Sequence, residues 1–143
     1  MNTHPNVRIA LLWLLGIVSG TAFAGGGALV AGSLNPAWSS LLVPPLSYLE
    51  GSPFPDFLVP GIVLGVGLGG LHLTALVLVA QRRRSAILIV TICGFALLIW
   101  IFVQMTMIPF SFLQVIFEVF GLAELGLVLL ALGLVHAPAR RAH

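Results

Sequence analysis

The sequence predicts an all-α integral membrane protein, a single domain built as a bundle of four transmembrane helices. Of the 143 residues, 59% are hydrophobic and only 7% are charged, whereas a soluble domain carries roughly 25% charged residues. Four apolar runs are each long enough to cross a bilayer, which takes about 20 residues in a helix. All six basic residues are arginines, and they flank these runs, as basic residues beside membrane spans do.

The first predicted span covers residues 9–31 and follows a short polar head that ends at Arg8. Small residues recur at every fourth position, and such a pattern lets another helix approach closely in lipid. We expect this small-residue stripe to pack against the second span, with homodimerisation as the alternative, because the motif does not choose its partner. The stripe consists of Gly16, Gly20, Ala24, Ala28 and Gly32.

The same stretch also has features of a secretory signal peptide. It has a basic start, an apolar core and the tripeptide Ala22-Phe23-Ala24 before Gly25, which matches the small-residue pattern of a cleavage site. Hydrophobic residues continue beyond that site, which favours a retained helix. An intact-mass measurement distinguishes the two, because cleavage would remove residues 1–24.

Residues 32–56 form a long connection with five prolines and no basic residue. Asn35 followed by Pro36 is typical of a helix start, so we expect a short helix over residues 37–43, before two further prolines. Trp38 and Tyr48 suit the headgroup region, where an amphipathic ring is half in water. We expect this loop to lie at the outer membrane surface.

The second predicted span covers residues 57–80, with Asp56 as its cap. Gly61, Gly65 and Gly69 form a second small-residue stripe, and His72 follows three positions later on the same face. An ionisable side chain inside the membrane is a candidate functional group. The alternative is a neutral imidazole that bonds a neighbouring helix.

Residues 81–85 form a short loop with three consecutive arginines, Arg82, Arg83 and Arg84. Clustered arginines beside a span stay in the cytoplasm. Arg8, and Arg140 and Arg141 in the tail (136–143), fall on the same side of a four-span chain. The sequence therefore predicts a multi-pass protein of the cell membrane with both termini cytoplasmic. The absence of lysine hints at a bacterium with GC-rich genes.

The third and fourth spans are predicted over residues 86–107 and 112–135, joined by a turn so short that they must be antiparallel neighbours. Gln104 lies near the outer end of the third span. The fourth span carries three polar side chains, Gln114, Glu118 and Glu124. At 1.5 Å per residue Glu124 lies roughly 18 Å from the start of this span, close to the midplane.

The two glutamates allow two interpretations. Hydrocarbon disfavours the charged form of a carboxyl group, which suits it to bind and release a proton or to hold a cationic substrate. The alternative is that Glu118 bonds Gln104 or Gln114 and that Glu124 bonds His72, each contact only holding helices together. The sequence on this basis favours a non-enzymatic accessory or assembly subunit, with a small proton-coupled transporter as the alternative.

An enzyme is the less favoured class. The sequence has none of the usual metalloprotease, hydrolase or phosphate-loop motifs, and three of the four histidines, His4, His136 and His143, are near the termini. The single Cys93 cannot form an intramolecular disulfide. We expect no cofactor and no metal. A net charge of +2 does not indicate a nucleic-acid partner; the expected partners are the lipid bilayer and a membrane protein or a second copy.

Two segments carry a resemblance to known proteins. Residues 51–61, followed by a glycine-rich span, and residues 100–104, followed by 114–124, resemble small four-span membrane proteins of bacteria, which mostly have no assigned activity. The resemblance implies the four-helix fold and no site residue. In size the chain is also similar to small multidrug transporters, whose membrane glutamate belongs to the first helix; here that helix has no ionisable residue after Arg8.

Overall fold

The computed structural model describes residues 4–134. Within this range the chain forms five helices, and four of them are long and apolar enough to cross a membrane. The predicted four-helix membrane bundle is confirmed. The tail 136–143, with its histidines and arginines, and the predicted last residue of the fourth span lie outside the described residues. The helices are α1 (Pro5–Leu34), α2 (Pro36–Leu42), α3 (Leu58–Ala80), α4 (Ala86–Met107) and α5 (Phe112–Ala131).

Two helices end elsewhere than predicted. Helix α1 runs beyond residues 9–31 at both ends, because hydropathy marks the apolar part of a helix and not its last hydrogen bond. Helix α5 ends at Ala131 and not at 135, since Gly133 adopts a left-handed φ of 75°. The backbone N–H groups of Gly133 and Leu134 donate to the carbonyls of Leu130 and Leu129, which is a Schellman stop.

The long connection between α1 and α3 contains the short helix that the sequence predicts. The Asn35 side chain accepts a 3.0 Å hydrogen bond from the Ala37 N–H and so caps α2. A turn of 3₁₀ helix follows at Leu46–Leu49. Asp56 then accepts a 2.8 Å bond from the Leu58 N–H at the start of α3. We call this side of the bundle the proline end, and the side that holds Arg82–Arg84 the arginine end.

The four long helices form a ring. Helix α1 packs along α3, and α4 packs along α5, while contacts of α3 with α4 and of α1 with α5 close the ring. Helices α3 and α5 therefore face each other across a diagonal. Across a diagonal, long side chains can meet at the centre of the bundle even though the backbones stay apart.

The buried interior consists of two apolar clusters. One lies toward the arginine end and includes Leu11, Leu15, Val79 and Cys93. The other lies toward the proline end and is formed by Val18, Leu68, Leu97 and Ile101. Two buried polar residues fall between the clusters, His72 in α3 and Glu124 in α5. Ser19 of α1 is also buried and directly follows Val18 of the proline-end cluster.

Helices α1 and α3 approach most closely at glycines. A Cβ added to Gly26 would lie 2.6 Å from the carbonyl oxygen of Gly61 and 2.6 Å from the Cα of Gly65. Gly69 packs against the Ala22 and Phe23 side chains of α1. The glycine face predicted for the second span is thus the face that meets α1. Between Val63 and Gly69 this helix has π geometry.

The predicted partner face on α1 was misplaced. A Cβ added to Gly16 or Gly20 would meet no atom within 4 Å, and Gly20 is exposed. At 100° per residue, a repeat of four residues turns about 40° around the helix at each step. The small-residue stripe therefore begins on the outer surface of the bundle at Gly16 and ends at Gly32, which packs against Val43 and Leu42. The residues that face the interior are spaced by three and four: Leu11, Leu15, Val18, Ala22 and Gly26.

Helix α1 contributes to both apolar clusters. Leu11 and Leu15 belong to the cluster at the arginine end, and Val18 belongs to the other. Cleavage after Ala24 would remove all three side chains from the interior of the bundle.

The glycine contact generates a paired prediction. Gly26→Ala should destabilise the bundle by about 1–3 kcal/mol, the usual cost of overpacking, because the new methyl group would meet the backbone of α3. Gly20→Ala is the matched control and should be neutral or stabilising by up to about 1 kcal/mol, since alanine is the better helix former. Unfolding in mixed micelles measures both. Equal effects of the two substitutions would contradict this packing.

Candidate functional site

His72 lies at the centre of the bundle, three residues after the π-helical stretch of α3. Its Nδ1 is 2.8 Å from the carbonyl oxygen of Leu68 in the same helix. A carbonyl oxygen only accepts hydrogen bonds, so Nδ1 carries a proton and donates it. The other ring nitrogen, Nε2, is thereby left to face the interior. The π turns are wider than α turns and rotate the residues that follow them.

Glu124 of α5 meets this imidazole across the diagonal. The distance from His72 Nε2 to Glu124 Oε2 is 3.4 Å, and both side chains are 0% exposed. The two residues reach similar depths, because His72 lies roughly 21 Å along α3 from Leu58 and Glu124 roughly 18 Å along α5 from Phe112. Both helices start at the proline end, so these depths are counted in the same direction.

Other polar groups of the interior lie near this pair. The buried Ser19 hydroxyl of α1 donates a 3.0 Å hydrogen bond to the carbonyl of Gly69. The buried Cys93 thiol of α4 lies within electrostatic range of Glu124. Each of the four long helices therefore contributes one polar or titratable side chain near the centre of the bundle, and the one from α4, Cys93, also belongs to the apolar cluster at the arginine end. We call these four residues the polar layer: Ser19, His72, Cys93 and Glu124.

The contact between His72 Nε2 and the Glu124 carboxyl group offers two positions for a proton. With Nδ1 protonated, one further proton placed either on His72 Nε2 or on the Glu124 carboxyl group would leave the pair with no net charge. The 3.4 Å separation is longer than the usual 2.7–3.2 Å hydrogen bond. Among the described residues, neither carboxyl oxygen of Glu124 has a hydrogen-bond partner. The pair is in contact but is loosely held.

Glu118 does not make the contacts that the sequence suggested. Its Oε2 atom is buried and has no hydrogen-bond partner within residues 4–134. Gln114 is engaged elsewhere, because its side-chain oxygen accepts a 3.0 Å bond from the backbone N–H of Ser111 and so caps α5. The spacing Ser111-x-x-Gln114 is a capping-box signature, so the sequence contained the signal for this role.

Gln104 lines a cavity between the four long helices, on the proline-end side of the polar layer. Its volume is about 220 Å³. Leu68 and Leu97 form part of its wall, and the Leu68 carbonyl is the acceptor for His72. The cavity therefore borders a residue that bonds His72. On the opposite side of the His72–Glu124 pair, the apolar cluster at the arginine end closes the bundle.

The arginines have structural roles that the sequence did not indicate. Arg8 of α1 donates hydrogen bonds to the carbonyls of Val79 (3.3 Å) and Ala80 (2.9 Å) at the end of α3. Its positive charge also interacts favourably with the negative, C-terminal end of the helix dipole. Arg82 has a left-handed φ of 55°, at a helix stop that usually holds glycine. Arg82, Arg83 and Arg84 are all exposed.

No protein-family model, curated protein or solved structure matches this chain. Within residues 4–134 no three histidine, cysteine, aspartate or glutamate side chains come together as a metal site would require. His72 and Glu124, the buried base and acid at the centre of the bundle, are the groups best placed to take part in proton transfer.

The contact between His72 and Glu124 predicts energetic coupling. His72→Leu and Glu124→Leu should each destabilise the protein by about 1–3 kcal/mol, because each leaves a buried polar partner without its contact. The double variant should be less destabilised than the sum of the two by about 1–2 kcal/mol. Unfolding in mixed micelles gives all the values of this cycle.

The control for this cycle combines His72→Leu with Glu118→Leu, a glutamate of the same helix that does not contact His72. Those effects should add within about 0.5 kcal/mol. Equal coupling in both cycles would show that the His72–Glu124 contact has no special energetic role.

Proposed function

We propose that this protein is a small proton-coupled transporter in which the His72–Glu124 pair is the proton site. The observation that carries the proposal is a buried acid and base in direct contact at 3.4 Å, on helices that are otherwise diagonal in the bundle. Ionisable groups inside a membrane domain mark proton relays and substrate pathways more often than chance packing would suggest.

The chemistry of the pair links proton release to a change in structure. When one proton is shared between Nε2 and the carboxyl group, the pair is neutral. Losing that proton leaves a net negative charge on two side chains that are 0% exposed, and burying an uncompensated charge costs several kcal/mol. Release therefore requires water or a cation to enter, which means that α3 and α5 must separate.

The two sides of the pair differ in the way that alternating access requires. Toward the proline end, a cavity of about 220 Å³ reaches the residues that border His72. Toward the arginine end, apolar side chains such as Leu15, Val79 and Val90 close the interior. Opening the second side while closing the first would expose the pair to the opposite compartment, and such rearrangements are the usual basis of transport.

The orientation is part of the proposal. Arginines beside spans are retained in the cytoplasm, so the arginine end faces inward and both termini are cytoplasmic in a cell membrane. Arg82 adopts a left-handed φ that glycine would take without strain. The presence of arginine at this position supports the view that its positive charge is needed there, as it would be to hold this loop in the cytoplasm.

A second candidate is a non-enzymatic accessory or assembly subunit. The observation that favours it is that both side chains of the pair are 0% exposed, so in a bundle that never opens the contact would serve only to join α3 to α5. In that case the proton would never exchange during function, and the lipid-facing surfaces would carry the interactions with a partner.

Proton flux distinguishes the two candidates. In proteoliposomes loaded with a pH-sensitive dye and challenged with a panel of inorganic and organic cations, the intact protein should move protons in response to at least one of them. Glu124→Gln should abolish this flux, because an amide cannot exchange a proton, while the protein stays folded. Glu118→Gln, in the same helix, is the control and should retain most of the flux.

An absence of flux with every cation would refute the transporter. Stable Glu124→Gln protein with undiminished flux would also refute it. An absence of flux together with a large loss of stability in Glu124→Leu would support the accessory subunit.

Cysteine labelling tests the orientation. In a Cys93→Ala background, Ser52→Cys introduces a thiol into the connection between α2 and α3. Ser85→Cys introduces one into the arginine loop, where Ser85 is exposed. A membrane-impermeant maleimide should label position 52 in intact cells and position 85 only after the cells are opened. The reverse pattern would contradict the proposed orientation.

A further inference from the structure

We infer that the cavity at the proline end is a binding site for a small uncharged aromatic molecule that carries one hydrogen-bonding group. The cavity is lined by side chains from all four long helices and is partly open to the surface. It is distinct from the proton site, and the inference holds whether or not the protein moves protons. Its charge, its polar groups and its size each restrict what can bind there.

The lining carries no charge. None of the side chains that form the wall is acidic or basic. An ionic ligand would lose its hydration there without gaining an opposite charge, which is costly. The occupant is therefore a neutral molecule.

Most polar groups of the wall lie near the membrane surface, at the end of α4 and the start of α5. Gln104, Ser111 and Gln114 belong to this part of the wall. The exception is Thr21 of α1, whose hydroxyl group donates to carbonyls of its own helix. The Gln114 oxygen is occupied by the Ser111 N–H. Within residues 4–134, the Gln104 amide, the Gln114 amide nitrogen and the Trp100 indole N–H make no hydrogen bond. A ligand with a hydroxyl or N–H group would find both donors and an acceptor here.

The deeper part of the wall is apolar. Val18, Leu68 and Leu97 lie there, and Phe117 and Trp100 each contribute an aromatic ring to the wall. Phe117 already packs edge-to-face on Phe120, with ring centroids 5.7 Å apart at 84°. Aromatic rings favour this geometry with one another, so an aromatic ligand gains contacts that a flexible alkyl chain would not.

The volume sets an upper limit. An apolar cavity of about 150 Å³ in another protein accepts benzene, so a cavity of about 220 Å³ accommodates one substituted ring or two fused rings. Phenols and indoles have the required combination of size, neutral charge and a single polar group.

Quenching of Trp100 fluorescence tests this site. The full chain is placed in nanodiscs with Trp13→Phe and Trp38→Phe, since both of these tryptophans are exposed and their loss leaves Trp100 as the sole reporter. The probe is 4-bromophenol, whose bromine quenches a nearby indole. We expect saturable quenching, with weaker binding by bromobenzene, which lacks the hydroxyl group.

Two variants and a matched control locate the binding. Thr21→Phe places a ring at the cavity wall and should weaken 4-bromophenol binding at least tenfold. Thr74→Phe is the control, because Thr74 is also exposed and bonds only to its own helix, and it lies outside the wall; binding should not change. Gln104→Leu should weaken 4-bromophenol binding about threefold to tenfold, the value of one neutral hydrogen bond, and leave bromobenzene unaffected.

Three results would overturn the inference. Quenching that rises linearly with probe concentration would show only partition into the bilayer. Equal effects of Thr21→Phe and Thr74→Phe would place the binding elsewhere. In nanodiscs with brominated acyl chains, strong quenching that phenol and benzene, which carry no bromine, do not relieve would assign the cavity to a lipid tail.

Discussion

The lack of water in hydrocarbon is the constraint on which the rest of this structure depends. Each polar group inside the bundle must find a partner within the protein or remain unsatisfied at a cost of about 1–3 kcal/mol. Ser19 meets this requirement through the Gly69 carbonyl, and His72 through the Leu68 carbonyl. Glu124 has only the contact with His72. This leaves one loosely satisfied carboxyl group at the centre, which is where a proton can matter.

The glycines determine the geometry around that centre. Because Gly26 allows α3 to approach α1 closely at Gly61 and Gly65, these two helices form one closely packed side of the ring. Helices α4 and α5 form the other side, where Gly94 and Gly121 lie against leucine side chains of the partner helix. The His72–Glu124 contact joins the two sides. Because contacts of α3 with α4 and of α1 with α5 also join the sides, a movement of one side relative to the other would alter all three contacts together.

Much of the fold follows from the sequence. Apolar runs of the right length predict the four spans, and the bounds of α4 agree with the prediction. Asn35 and Asp56 are capping residues whose local signals are strong. The sequence also suggested that Glu124 bonds His72, because both residues are predicted to lie deep in the membrane. The end of α5 was missed because Gly133 stops the helix within a run that remains apolar.

The remaining errors concern which face of a helix points inward. Helix α1 is apolar all round, so its pattern does not separate the lipid-facing Gly16 and Gly20 from the buried Gly26. The π-helical stretch of α3 has no sequence signal beyond its glycines, yet it changes the direction of every later side chain. The bonds of Arg8 to the end of α3 join residues far apart in the chain, and no local pattern predicts them.

The most direct test of the central contact is the nitrogen spectrum of the His72 imidazole, measured by solid-state NMR on ¹⁵N-histidine-labelled protein in lipid. The structure predicts a protonated, hydrogen-bonded Nδ1, and an Nε2 resonance that shifts in Glu124→Gln but not in Glu118→Gln. An Nε2 resonance that is the same in all three proteins would contradict the contact, and with it the proposed proton site.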